Sequence, residues 1–496
     1  MTNEELYYLP ASELLKHIQA EKERLIKEKI IKKPKELPPI TDEEKPYDLP
    51  EGWEWVRLGD IVSITSGLSY KKPQLTVESN DMVRVLRGGN ISDMNYCYKK
   101  DDIFISREFV NEQLLLKKYD IITPAVTSYE HVGKSSLILE DLSDVVVGGF
   151  VLFIRGYLDN AILLKNVFYF INTTEFKDIC KSITNKSGQA FYNLSREKLA
   201  MQLIPLPPLY IQDQIVQKLE QLSETKNSLL SHAESQLNYT KKMREALLQE
   251  AIRGELVPQD ENDEPASVLL EKIKTEKERL IKEKVIKKSK ALPQITDEEK
   301  PYDLPEGWEW VRLGEIIEVN SRKGKNSNDI SNETWVLEME DIEKNTSKLL
   351  QKIYNSDRQV SSNKYSFKKN DVLYGKLRPY LNKVLIASDE GVCSSEILPL
   401  QPYQIESKYI KTYLMSPDFL NYANNLTSGT RMPRLGTDDL RKAIFPLPPL
   451  AEQKRIVAKL DELMANCNQL EVKAEEMKNY TSKLFEASLK EAFKPE

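Results

Sequence analysis

Four cysteines in 496 residues, at Cys97, Cys180, Cys393 and Cys467, are too scattered for a disulfide framework, and no C-x-x-C pair exists to begin a zinc site. All four read as reduced packing residues. The three histidines, His17, His131 and His232, share no spacing, so no histidine-built metal or acid–base centre is expected. Only His131, in a loop between expected strands, stands where a ligand could meet it. No run of eighteen apolar residues occurs, and the opening MTNEELYYLPASELL lacks the basic-then-apolar order of a secretion signal. A cytoplasmic protein without a membrane span is expected.

Enzyme signatures are also missing. There is no G-x-G-x-x-G; Gly133-Lys134-Ser135 resembles the end of a phosphate loop, but Ser128 stands where its first glycine belongs. PLPPL is not the N-P-P-Y or D-P-P-Y signature of an adenine methyltransferase. Acid-x-Lys triplets are background in a chain with 30% charged residues. The expectation is a chain with no catalytic residue, no metal and no cofactor of its own.

What the chain does contain is repetition. ITDEEKPYDLPEGWEWVRLG runs from Ile40 to Gly59 and returns unchanged from Ile295 to Gly314. Over the wider window, Glu21 to Ile61 against Glu276 to Ile316, 36 of 41 positions are identical. A period this long means duplicated domains rather than a solenoid. A second match follows at an offset of 241: Ser187-Gly188 with Ser428-Gly429, Pro205 to Leu209 with Pro446 to Leu450, and Gln212 with Gln453. The second divergent segment is therefore fourteen residues shorter than the first. Gly188 and Gly429 are expected to make turns. The end of the chain lacks the continuation that follows Glu250, and its start, NEELYYLPASELL, resembles that continuation. The two termini are expected to lie near one another.

The pattern along the chain predicts an α+β protein: two mixed α/β globular domains separated by a pair of long antiparallel coiled-coil helices, with approximate two-fold internal symmetry. Residues 1–52 form an amphipathic helix and a proline-rich linker; residues 53–205 form the first globular domain. Residues 206–307 hold a long helix, a second amphipathic helix and its linker; residues 308–446 form the second globular domain, and 447–496 a last long helix. Short apolar runs such as VRLGDIVSI, MVRVLRGGNI, YDIITPAV and DVVVGGFVLFIRG read as strands. In the long helices, Ile215, Leu219, Leu222 and Leu229, and Ile456, Leu460, Leu463 and Leu470, keep a 4-3 spacing that makes a seam. Each helix spans roughly 60 Å at the usual rise per residue.

The formal charge of −6 lies outside the globular domains. Residues 53–205 carry 18 basic and 18 acidic residues, and 308–446 carry 20 and 18. A nucleic-acid surface on those domains is therefore compatible with the charge. Its candidates combine cations, amides and aromatic rings in polar loops: Arg84, Arg87 and Asn90; Thr127, Ser128, Tyr129, His131 and Lys134; Lys376, Arg378, Tyr380 and Lys383; and Arg431 and Arg434. For each, a solvated loop is the plainer reading.

LPEGWEWVRLG at Leu49 and Leu304, IPLPPLYIQDQIVQKLEQL from Ile204, FPLPPLAEQKRIVAKLDEL from Phe445 and EAIRGELVPQ from Glu250, set around two divergent segments, resemble the specificity subunits of type I restriction-modification systems. The resemblance covers essentially the entire chain. One departure is local: Ile211-Gln212 stands where the second copy has Glu452-Gln453. The resemblance implies that each divergent segment is a target recognition domain reading one half of a bipartite site on double-stranded DNA, with the helices as spacer and as dock for two methyltransferase subunits. It implies S-adenosylmethionine, ATP and magnesium in partner subunits, including restriction (motor-nuclease) subunits. A coiled-coil scaffold, a stand-alone DNA-binding protein and a self-contained enzyme remain the other readings.

Overall fold

The chain separates into two units inside its two longest helices, one made of Met1–His232 with Glu476–Glu496 and the other of Ala233–Glu475. A computed structural model describes residues 6–76, 81–187, 190–288, 290–320, 322, 324–427 and 432–494. Gly188, Gly429 and Arg431 lie outside the described residues.

In the first unit the helix Ala11–Lys27 buries Ala11, Leu14 and Ile18, the three- and four-residue spacing of one helical face. From there to the strand Glu54–Arg57 the only regular structure is one 3-10 turn, Asp42–Glu44. Prolines deprive this linker of amide donors and leave carbonyls to be satisfied. Arg57 satisfies them. Its side chain is 3% exposed and donates from Nε to the Pro38 carbonyl (2.7 Å), from Nη1 to Met201 (2.7 Å), and from Nη2 to Pro39 (3.2 Å) and the Glu44 carboxylate (2.9 Å). The repeat copies the clamp: Arg312 donates to Pro293, Gln294 and Lys442 carbonyls and to Glu299.

Each globular part is closed by its first and last strands, Glu54–Arg57 against Leu203–Leu206 and Glu309–Arg312 against Ile444–Leu447, both antiparallel. VRLGDIVSI is not one strand, because the short helix Leu58–Ile61 interrupts it. Beyond it, an antiparallel sheet orders Val62–Ser66, Val151–Gly156, Ile121–Pro124 and Ser136–Leu137; its counterpart orders Ile317–Val319, Ile397–Pro402, Val372–Gly375 and Val384–Ile386. A further sheet in each unit contains one parallel pair, Met82–Leu86 with Val145–Val147 and Trp335–Leu337 with Gly391–Cys393.

The long helices are Leu209–Arg253 and Leu450–Ala492. They run antiparallel within each unit: Lys226 stands over the Phe485 ring in the first, and Arg244 binds Asn468 and Glu471 in the second. Leu219, Ile456 and Leu460 are buried, Ile215, Leu222, Leu463 and Leu470 are half-buried, and Leu229 is exposed. Near Ile215 the burial moves to Val216, and near the other end it falls on Phe485 while Leu484 is exposed. A 3.5-residue stripe drifts around a 3.6-residue helix by roughly 20° per heptad, which moves the contact by one residue at the ends.

Leu6 and Phe493 share one hydrophobic core with Leu14, Ile18, Leu219 and Phe485, so the described ends of the chain meet. Tyr47 donates its hydroxyl to the Phe493 carbonyl at 3.1 Å, and Tyr302, its counterpart, to the Ile252 carbonyl at 3.1 Å. The ends of the chain thus supply in the first unit what continuous chain supplies in the second. There, Gly254 (φ +77°) caps the helix where a Cβ would stand 2.5 Å from Pro305.

Candidate nucleic-acid interface

Two loops with the same backbone skeleton occupy corresponding places in the units. In the first, Ala125 N–H donates to the Phe150 carbonyl (2.8 Å) and its own carbonyl accepts from Leu194 N–H (2.8 Å). In the second, Lys376 N–H donates to the Glu396 carbonyl (2.9 Å) and the Lys376 carbonyl accepts from Leu435 N–H (3.0 Å). Thr127 pairs with Tyr192 and Val126 with Asn193, as Leu377 bridges to Arg434. Each loop then makes a 3-10 turn, Tyr129–His131 and Pro379–Leu381, and Tyr129 and Tyr380 are each 51% exposed.

On this shared skeleton the side chains differ. In the second unit Arg378 is exposed in the left-handed region (φ +52°) immediately before Pro379, a conformation disfavoured for a residue preceding proline. Its N–H holds the Pro433 carbonyl at 2.7 Å, so the strained turn is fixed. Neither Lys376 nor Arg378 has a side-chain partner among the described residues. Lys383, by contrast, is spent on the Met339 carbonyl (2.7 Å), and Arg434 pairs with Glu396 (3.0 Å). Burial lowers the Lys383 pKa, with Asp341 and Glu340 opposing.

In the first unit Thr127 and Ser128 are half-buried, His131 is exposed and Lys134 half-buried; Tyr129 packs on Tyr192 with ring centres 5.0 Å apart. Ser128 reaches Glu130 at 3.3 Å. Phe150 and Phe191, 74% and 54% exposed, flank this loop. The sequence pattern did not single them out. Phe191 had one signal, its match to Met432 at the same offset of 241, and Met432 is 48% exposed.

Arg84, Arg87 and Asn90 belong to a different cluster. Asn90 is 1% exposed; it accepts from Arg87 N–H (2.8 Å) and donates to Cys97 (3.0 Å) and Asp102 (2.6 Å). It caps a 3-10 turn, as Asp341 does by accepting from Glu338 N–H at 2.7 Å. A buried amide with both ends used has nothing left for a base, which corrects the expectation for Asn90. Arg84 pairs with Asp102 (2.9 Å) between the Tyr98 and Phe104 rings, and Arg87 pairs with Asp101 (2.9 Å). Hydrogen bonds from Asn90, Lys99 N–H and Arg84 keep Asp102 low against the desolvation that raises it. Among the described residues no group of three or more His, Cys, Asp or Glu could hold a metal, and no helix is long and apolar enough to cross a membrane.

Residues 50–239 and 305–477, most of both units, match the type I restriction modification DNA specificity domain. The chain belongs to that family. It is a specificity subunit of a type I restriction-modification system, with the two-domain DNA-recognition architecture of that class. It is 29% identical to the type I restriction enzyme EcoAI specificity subunit of Escherichia coli, over 93% of this chain and 86% of that one. It is 23% identical to the MjaVIII specificity subunit of Methanocaldococcus jannaschii, over 86% and 89%. A solved chain from a study of complex assembly and conformational transition in a type I system shares the fold, with a TM-score of 0.57 at 20% identity, covering 90% of this specificity subunit and 99% of that chain.

Proposed function

We propose that the domains at residues 53–205 and 308–446 each read one half of a bipartite site on double-stranded DNA, through the loops that begin at Ala125 and Lys376. One observation carries this: the two loops share a backbone skeleton and an exposed tyrosine, while the side chains around them diverge within otherwise repeated scaffolding. Unlike readers on equivalent frames suit unlike half-sites. Lys376, Arg378, Tyr380, Tyr129, Ser128, Thr127, His131 and Lys134 are the contact residues; Arg84, Arg87, Asn90, Lys383 and Arg434 hold the surface in shape. Arg431, the residue before Met432 in the sequence, is a further candidate cation. If both readers approach one face of the duplex, half-sites stand about one turn, ~10 base pairs, apart.

The long helices set that spacing and dock two methyltransferase subunits, which bring S-adenosylmethionine and methylate adenine. Restriction subunits, with ATP and magnesium, join that core in the cytoplasm. This chain contributes no catalytic group. Purified alone it should transfer no methyl group to DNA, and transfer should begin when its methyltransferase is added. Replacing residues 53–205 with the segment of another family member should change one half of the methylated site; an unchanged pattern would refute the assignment.

A further inference from the structure

We infer that the first recognition domain reads thymine 5-methyl groups through Tyr129, Phe150 and Phe191, whereas the second reads its half-site with cations. The inference rests on the DNA-reading assignment above and adds the chemistry of one half-site.

Three segments meet at the first loop through backbone bonds: the loop itself, the turn ending at Phe150, whose carbonyl accepts from both Ala125 and Val126 N–H, and the hairpin carrying Phe191 and Tyr192. Each presents an exposed aromatic residue. In the second unit the position of Phe150 is held by Glu396, which neutralises Arg434, and the loop adds Lys376 and Arg378, which have no side-chain partner among the described residues. The skeleton and an exposed tyrosine are common, and Phe191 has an exposed apolar counterpart in Met432; what is exchanged is Phe150 for Glu396, with Lys376 and Arg378 added beside it.

Phe150, 74% exposed, and Phe191, 54% exposed, are large apolar side chains on segments whose backbones bond to this loop, which places apolar surface beside Tyr129 for a partner to cover. The occupant follows from the second unit. There the same skeleton presents cations without a side-chain partner among the described residues, which fit a polyanion, and a chain that duplicates one frame applies both copies to one polymer. In the major groove the apolar group that DNA offers is the thymine methyl.

The test uses the assembled methyltransferase and its mapped bipartite site, with the half read by residues 53–205 assigned by the segment exchange. Duplexes are made with deoxyuridine for thymine in one half at a time, which keeps pairing and removes only the methyl. Deoxyuridine in the first-domain half should lower kcat/KM for methylation by roughly tenfold, and in the other half by less than twofold. Phe150→Ala and Phe191→Ala, both surface changes that leave folding intact, should lower activity on thymine DNA and abolish the distinction between thymine and deoxyuridine. Equal rates on thymine and deoxyuridine duplexes would overturn the inference while leaving the assignment of half-sites standing. Loss of activity in the Phe variants with no sensitivity to deoxyuridine would also overturn it, pointing to a protein contact instead. An exchange of residues 53–205 that leaves the methylated site unchanged would remove the DNA-reading assignment itself.

Discussion

Trp308 donates its indole N–H to the carboxylate of Glu452 at 2.8 Å, and that carboxylate is 1% exposed. The corresponding residues of the first unit are Trp53 and Ile211, so the hydrogen bond exists in one copy only. The departure from the family pattern at Ile211 is therefore the loss of a buried polar pair.

Burial raises the Glu452 pKa above the usual carboxylate range, against the lowering effects of Trp308, Gln259 and Arg455. The folded chain then binds a proton more readily than the unfolded chain, so this group favours folding at low pH and loses that contribution as pH rises through its folded pKa. Glu452→Gln keeps an acceptor for Trp308 and removes the charge. Denaturation measured at a series of pH values should show unchanged or greater stability at neutral pH and a flatter dependence above the carboxylate range. A loss at neutral pH beyond about 1 kcal/mol would show that the charge itself stabilises the junction.

Removing Arg57 leaves the carbonyls of Pro38, Pro39 and Met201 without their donor. Arg57→Ala should cost on the order of 3 kcal/mol. Lysine should not rescue it, because one ammonium cannot span the planar fork. Limited trypsin digestion reads the effect directly: the chain should become cleavable after Lys35, and after Lys290 of the second linker in Arg312→Ala, whereas Lys33, Lys45 and Lys300 precede proline and stay resistant.

Arg378→Ala should slow modification through the second half-site about tenfold or more, within the ~1–3 kcal/mol a bidentate base contact supplies. Arg434→Ala, whose cation is already paired with Glu396, should cost less. Asn90→Ala should lower the melting temperature without changing which sequence is methylated. Methylation rates at limiting enzyme on singly altered half-sites distinguish these outcomes.

Thiol labelling of the native chain should modify Cys97 alone among the four. Cys180, Cys393 and Cys467 are buried, and desolvation pushes the Cys180 thiol up to about 12, with Cys393 raised further. Rapid reaction of Cys467 would mean that the helix pair opens.

Repetition made much of this architecture readable without coordinates. Two identical stretches, one offset of 255 and another of 241 require two copies of one frame and a shortened second insert. The 4-3 spacing requires long paired helices, and strand-like runs require mixed globular parts between them. These are properties of local order along a chain, and local order is what a sequence records.

Which polar residue is spent and which is free was decided only by tertiary structure. Asp120 and Asp371 are corresponding buried carboxylates, each capping a turn through Lys117 N–H or Lys368 N–H at 2.8 Å. Arg155, on a strand, neutralises one and Arg322, outside any strand, the other, at unrelated offsets. No spacing rule could have paired them. Asn90, Arg87 and Arg434 looked like Arg378 in sequence, but folding brought carboxylates and backbone groups to the first three and left Arg378 without a side-chain partner among the described residues. The sequence by itself determined the frame, its duplication and its circular joining of ends. Three-dimensional proximity decided the reading surface, because long-range hydrogen bonds and desolvation select which side chains remain available to a partner.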